Sequence, residues 1–90
     1  MSTAPFQRET YEFLPVEVTA NGTAVTTDVT FAVVEMGARP DTFGTAVTIG
    51  TAIGVMVDGP TLGVGTFSVF ARVESSPEIP VIDCGTFRVV

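Results

Sequence analysis

Apolar and polar residues alternate with a period of two in six separate stretches of the chain, and no stretch of ten or more residues has apolar positions at helical spacing. Thr and Val are abundant, and β-branched side chains such as these pack well on the pleated surface of a strand. The 9 Gly and 6 Pro residues recur between the alternating stretches and mark turns. This pattern predicts an all-β chain of short strands.

The alternating stretches and the turn signals between them fix the positions of the predicted strands. These strands cover residues 14–20, 28–33, 45–49, 53–58, 66–74 and 81–90. Asn21-Gly22 predicts a tight turn, and Asp58-Gly59-Pro60 predicts a break after the fourth strand. The prolines of residues 75–80 predict a loop, and Gly85 indicates a β-bulge in the last strand.

Six or seven short strands separated by turns are typical of a β-sandwich, and we predict an immunoglobulin-like sandwich of antiparallel strands. Residues 1–10 show no sustained alternation. We therefore expect them to form an extended N-terminal arm that contacts a neighbouring molecule rather than its own domain. Residues 11–90 then form a single sandwich domain.

The charged residues exclude several functions. The 90 residues include 4 Arg, no Lys and no His against 10 acidic residues, which gives a net charge of −6. Without Lys no Schiff base can form, and a phosphate backbone repels an acidic chain, so nucleic acid is excluded as the main ligand. The mean hydropathy of +0.48 is high for a small isolated domain. It predicts that part of the apolar surface contacts a protein partner.

The chain offers no recognisable set of catalytic or metal-binding residues. Cys84 has no His to act as its base, so we expect a small apolar side chain packed in the last strand. The acidic residues near loops do not have the spacing of a calcium loop; they are Asp41, Asp58, Glu78 and Asp83. We expect a protein that is not an enzyme and that binds no metal or cofactor.

Two features bear on where the protein is found. The first eight residues lack the apolar core of a signal peptide, which predicts an intracellular origin. The longest apolar runs are far shorter than the roughly 20 residues that cross a bilayer. We therefore expect no membrane-spanning segment.

Three groups of residues are candidates for binding a protein partner. Phe70 and Arg72 lie on the face of their strand opposite the apolar positions, and aromatic and Arg side chains are enriched in interfaces. The loop with Pro77 and Ile79 is restricted by its prolines before it makes contact. The candidates from the arm and the start of the domain are Phe6, Arg8 and Tyr11.

Several segments together resemble small immunoglobulin-like proteins encoded among the virion structural genes of long-tailed phages that infect actinobacteria. These segments are YEFLPVEV at residues 11–18, DVTFAVV at 28–34, GTFSVFARV at 65–73 and SPEIPV at 76–81. The most specific part is the penultimate strand with the loop that follows it. In such proteins this strand often opens with Gly-x-Tyr, whereas this chain has Phe67 and lacks that hydroxyl.

The resemblance implies a non-enzymatic component of a virion, made in the host cytoplasm. It implies a head decoration or minor head protein, with a head-to-tail connector or tail component as the alternative. Its partners would be capsid or connector subunits and further copies of itself in a symmetric assembly. An adhesion or carbohydrate-binding module is a second alternative, although the absence of Trp and the single Tyr leave few aromatic platforms for a sugar.

Overall fold

Seven β-strands pair into two antiparallel sheets that pack face to face. The computed structural model describes residues 5–20, 22–74 and 79–90. In these residues the elements are β1 (Tyr11–Pro15), β2 (Thr19–Ala20), β3 (Thr23–Ala24), β4 (Val29–Glu35), β5 (Gly44–Thr45), β6 (Val47–Ile49), β7 (Ala52–Asp58), α1 (Gly59–Leu62), β8 (Gly65–Val73) and β9 (Val81–Val89). The two short strands β2 and β3 pair with each other outside the two sheets.

One sheet has three strands in the order β1-β7-β6. Ile53, Val55 and Val57 of the central strand alternate toward the core, and Val57 is completely buried. β1 begins and ends earlier than the predicted strand at residues 14–20. Val16 and Val18 beyond its end are nevertheless buried, as the alternation predicted.

The other sheet has four strands in the order β5-β4-β8-β9. The alternation of β8 is confirmed, because Phe67, Val69, Ala71 and Val73 all lie in the core. The strand predicted at residues 45–49 is in fact two strands in different sheets. β5 and β6 are separated by Ala46, whose small side chain packs against the core where the chain crosses between the sheets.

The predicted bulge in the last strand is confirmed. The register between β8 and β9 shifts between Ser68 and Phe70, and Gly85 has a φ of 107°. Only glycine adopts such a backbone conformation without strain. The break predicted at residues 58–60 is also present, and it continues into the short helix α1, whose first turn Asp58 caps.

Residues 6–8 do not form the free arm that the sequence suggested. Phe6 forms a parallel bridge with Val89, and three backbone hydrogen bonds of 2.8–2.9 Å join residues 6 and 8 to residues 88 and 90. The Phe6 side chain is 8% exposed and packs edge-on against Phe87. The sandwich therefore begins at Phe6 rather than at residue 11.

The fold class predicted from the sequence is confirmed as an all-β sandwich of seven antiparallel strands. The strand order matches that of immunoglobulin domains, in which strands B, E and D face strands C′, C, F and G. In this arrangement consecutive strands divide between the two sheets. Each sheet keeps an outer face, and these two outer faces are the broad surfaces that a partner can contact.

Candidate protein interface

The outer face of the three-stranded sheet is almost entirely apolar. We call it the apolar face and define it by seven side chains: Tyr11, Phe13, Pro15, Val47, Ile49, Ala52 and Met56. Tyr11 is 66% exposed and Ile49 is 54% exposed. Phe13, Val47 and Met56 are half-buried. Apolar side chains gathered on one flat surface mark interaction sites more often than scattered ones do.

The strand register explains why these side chains point outward. Phe13 pairs with Met56, whereas the next pair along, Leu14 with Val55, points into the core. Because successive side chains of a strand point to opposite faces, burial of one set exposes the other. Tyr11, Phe13 and Pro15 therefore share a surface with Met56.

Gly54 lies at the centre of this face and lets β1 approach β7 closely. A Cβ atom at this position would lie 2.0 Å from the Leu14 carbonyl oxygen and 2.9 Å from Cα of Pro15. Such distances are far inside van der Waals contact, so any side chain would displace β1. The absence of a side chain also leaves the middle of the apolar face flat.

The three strands beneath the face carry only two charged residues, Glu12 and Asp58, and both are acidic. Asp58 is occupied within the chain, since its carboxylate accepts hydrogen bonds from the backbone N–H and the hydroxyl of Thr61 at 3.3 and 3.0 Å. Glu12 accepts a hydrogen bond from the Thr10 hydroxyl. Because Asp58 pairs with Tyr11, its side chain lies at one end of the apolar face, whereas Glu12 pairs with the inward-pointing Val57.

An apolar groove of about 350 Å³ continues the face at one end of the sandwich. Pro15 and Ala52 belong to both the face and the groove, and Val16, Val18 and Val25 contribute further aliphatic surface. Partner side chains that contribute most to binding are usually inserted into pockets of this kind. The groove thus extends the candidate interface beyond the flat sheet.

Phe70 and Arg72 lie on the outer face of the other sheet, as predicted. The Arg72 guanidinium is 4.8 Å from the centre of the Phe43 ring, and it forms a 2.9 Å ion pair with Glu74. This is the one ion pair within residues 5–20, 22–74 and 79–90. The Arg72 side chain therefore contacts Phe43 and Glu74 of its own chain. Phe70 is half-buried.

The remaining predicted partner residues are dispersed. Phe6 is in the core, which removes it as a contact residue, whereas Arg8 is exposed next to it. Tyr11 lies on the apolar face, on the opposite side of the sandwich from Phe70. Ile79 is 58% exposed, and Pro77 lies outside the described residues. The sequence thus identified one member of the apolar face, Tyr11.

The apolar face as a unit is not apparent from the sequence. Met56 lies between the inward-pointing Val55 and Val57, so β7 is apolar on both sides. Strands of this kind occur where both faces of a sheet are covered. A signal was present in the composition, because residues 42–57 contain no charged residue.

Cys84 lies on the inner side of β9, and its thiol is half-buried rather than fully buried. The thiol donates a hydrogen bond to the carbonyl oxygen of Ile82 at 3.6 Å. Burial raises the pKa of Cys84, and the neighbouring Asp83 carboxylate raises it further. A raised pKa keeps the sulfur protonated and unreactive at neutral pH, which is opposite to the property of a nucleophilic cysteine.

Within the described ranges, no group of three or more His, Cys, Asp or Glu side chains could hold a metal ion. No helix in the same part of the chain is long and apolar enough to span a membrane. Comparisons with family models, with curated proteins and with solved structures gave no match to this chain.

Proposed function

We propose that this chain is a non-enzymatic structural protein of a phage particle, a head decoration or minor head protein that attaches to the particle through its apolar face. The observation that carries the proposal is the composition of that face, in which seven apolar side chains lie around Gly54 and the one charged neighbour, Asp58, accepts hydrogen bonds from Thr61. The segments that resemble phage virion proteins supply the identity of the particle. They include β1, which forms one edge of the face.

The size of the face favours attachment in many copies. Three strands of about five residues cover on the order of 250 Å², given strands about 4.8 Å apart and a rise of about 3.3 Å per residue. A stable pairwise interface buries about 800 Å² on each partner. One copy of the face, even with the groove, is therefore a weak binding surface. Repeated on a symmetric shell, many such contacts would give firm attachment.

Two pairs of substitutions test the proposal on particles that lack the chain. Tyr11→Ser with Ile49→Ser removes two large, exposed members of the apolar face. Met36→Ser with Val64→Ser is the matched control, because these side chains are 64% and 63% exposed and lie outside the face. We expect the face variant to reduce the number of bound copies at least about tenfold, as loss of two large contact residues would. The control should bind as the unchanged chain does.

The outcomes test two claims separately: that the chain binds phage particles, and that it binds them through the apolar face. If the unchanged chain does not bind particles, the proposed function is wrong. If it binds and the two double variants behave alike, the apolar face is not the attachment surface. Phe70→Ser, on the outer face of the other sheet, then tests whether attachment uses that sheet instead.

A further inference from the structure

The longest uncharged stretch of the chain forms one side of the sandwich. Residues 42–57 contain no Asp, Glu, Arg or Lys, and they include β5, β6 and most of β7. β6 is an edge strand of the three-stranded sheet, with β7 on one side and no strand on the other. An edge strand presents unpaired backbone N–H and C=O groups, and proteins usually protect such edges with charges, prolines or bulges.

The edge strands elsewhere in the described residues have this protection. β1, at the opposite edge of the same sheet, carries Glu12 and Pro15. β9 carries Asp83 and the bulge at Gly85, and residues 6–8 cover its end. β5 is only two residues long. β6 is therefore the longest edge strand described that has no charge, proline or bulge.

The backbone of Thr48 faces the open edge. The Ile53 carbonyl accepts a hydrogen bond from the Val16 N–H at 2.8 Å, so the polar backbone groups of Ile53 point toward β1 and away from β6. Thr48 is the residue of β6 that pairs with Ile53. In an antiparallel ladder such a pair is the one without mutual hydrogen bonds. The N–H and C=O of Thr48 therefore point away from β7.

We propose that β6 pairs with β6 of a second copy of this chain, antiparallel and about a two-fold axis at Thr48. The two Thr48 residues would exchange a pair of backbone hydrogen bonds, and Val47 of each copy would lie opposite Ile49 of the other. Charge favours a second copy at this edge. The net charge of −6 opposes self-association elsewhere, but pairing through β6 brings together uncharged strands and places Glu12 of each copy at the far edge.

The pairing joins two three-stranded sheets into one sheet of six strands. A two-fold axis perpendicular to the sheet keeps both apolar faces on the same side. The combined surface is about twice that of one copy, on the order of 500 Å² by the same strand spacings. This self-association goes beyond the proposed attachment and does not depend on it.

Charge substitutions at Thr48 test the pairing in the full chain. Because Thr48 would face its own counterpart, Thr48→Lys and Thr48→Glu each place like charges opposite one another, whereas a mixture of the two variants places opposite charges there. Sedimentation velocity over a range of concentrations should show that the unchanged chain dimerises. Each variant alone should dimerise at least about fivefold more weakly, and the equimolar mixture should recover dimers.

Thr23→Lys and Thr23→Glu are the matched controls, since Thr23 is also an exposed strand Thr but lies in β3. They should leave dimerisation unchanged, alone and mixed.

Hydrogen exchange is a second measurement of the pairing, because the Thr48 amide should become protected from exchange as the concentration of the unchanged chain rises. A chain that stays monomeric at millimolar concentration overturns the pairing, as do Thr48 variants that dimerise like the unchanged chain. If such a monomer still binds particles, the proposed function stands without the pairing.

Discussion

Gly54 and Gly59 fix the position of residues 7–15 against the rest of the described chain. A Cβ atom at Gly54 would lie 2.0 Å from the Leu14 carbonyl oxygen, and one at Gly59 would lie 2.4 Å from the Arg8 carbonyl oxygen. Both neighbours are backbone atoms, which cannot rotate away as a side chain can. These two positions therefore tolerate glycine alone.

Replacing Gly54 with Ala should destabilise the fold strongly. We expect the free energy of unfolding, measured by urea denaturation, to fall by about 3 kcal/mol or more, because the methyl group must push β1 away from β7. Gly44→Ala is the control in another strand, since its Cβ would have its nearest contact at 4.0 Å. The control should change stability by less than about 1 kcal/mol. Equal effects of the two substitutions would contradict the close approach at Gly54.

The Cys84 thiol should react slowly with iodoacetamide in the folded chain. Because its pKa is raised, the folded chain holds the thiol proton at pH values where the unfolded chain, with a pKa of about 8.5, has lost it. The midpoint of labelling against pH should therefore be higher for the folded than for the urea-unfolded chain. By the same linkage, stability should fall as the pH rises above about 8.5, and Cys84→Ala should reduce that slope. Equal labelling of folded and unfolded chains at pH 7 would refute the assignment.

Among the elements, the best predicted from sequence is β8 and the least well predicted is the segment before β1. Phe67, Val69, Ala71 and Val73 alternate without interruption, and that pattern depends only on which face is buried. Residues 6–8 instead join the sheet through backbone hydrogen bonds and one aromatic side chain. Backbone pairing leaves no period in the sequence, so a lack of alternation does not indicate a lack of contact.

Replacing Phe6 with Ala should therefore lower the stability of the isolated chain. The ring packs against Phe87, which in turn stacks on Phe67, so its loss leaves a cavity in the core. We expect a loss of about 3 kcal/mol in the free energy of unfolding, measured by thermal or urea denaturation. Gln7→Ala, at the exposed neighbouring position, should have little effect. If Phe6→Ala left stability unchanged, the segment would be an independent arm after all.

The contact between Arg72 and Phe43 should stabilise the four-stranded sheet modestly. A double-mutant cycle with Arg72→Met and Phe43→Leu should give a coupling energy of about 0.5–1 kcal/mol, because the guanidinium lies over the ring at a partly exposed site. The exposed ion pair with Glu74 should add less, and should weaken with salt. A coupling energy of zero would contradict a stabilising contact between Arg72 and Phe43.

As a whole, the molecule has two outer faces of different character. The outer face of the four-stranded sheet mixes Phe70 and Arg72 with threonines and an acidic residue, whereas on the outer face of the three-stranded sheet the one charged side chain is Asp58, at its end beside Tyr11. The sequence predicted the sandwich and the outward direction of Phe70, because strand alternation determines both. It did not predict the apolar face, since that surface combines strands from residues 11–15 and 47–58 whose pairing is not local in sequence.

A cryo-electron microscopy reconstruction of the phage particles that the proposed function assigns to this chain would test the proposed attachment directly. We expect copies of the sandwich on the particle, with Tyr11, Phe13 and Met56 turned toward the subunits beneath and Phe70 turned toward solvent or a neighbouring copy. The side of the molecule that is buried can be read from the orientation of the two sheets alone. Particles without the sandwich, or copies whose apolar face is open to solvent, would contradict the proposal.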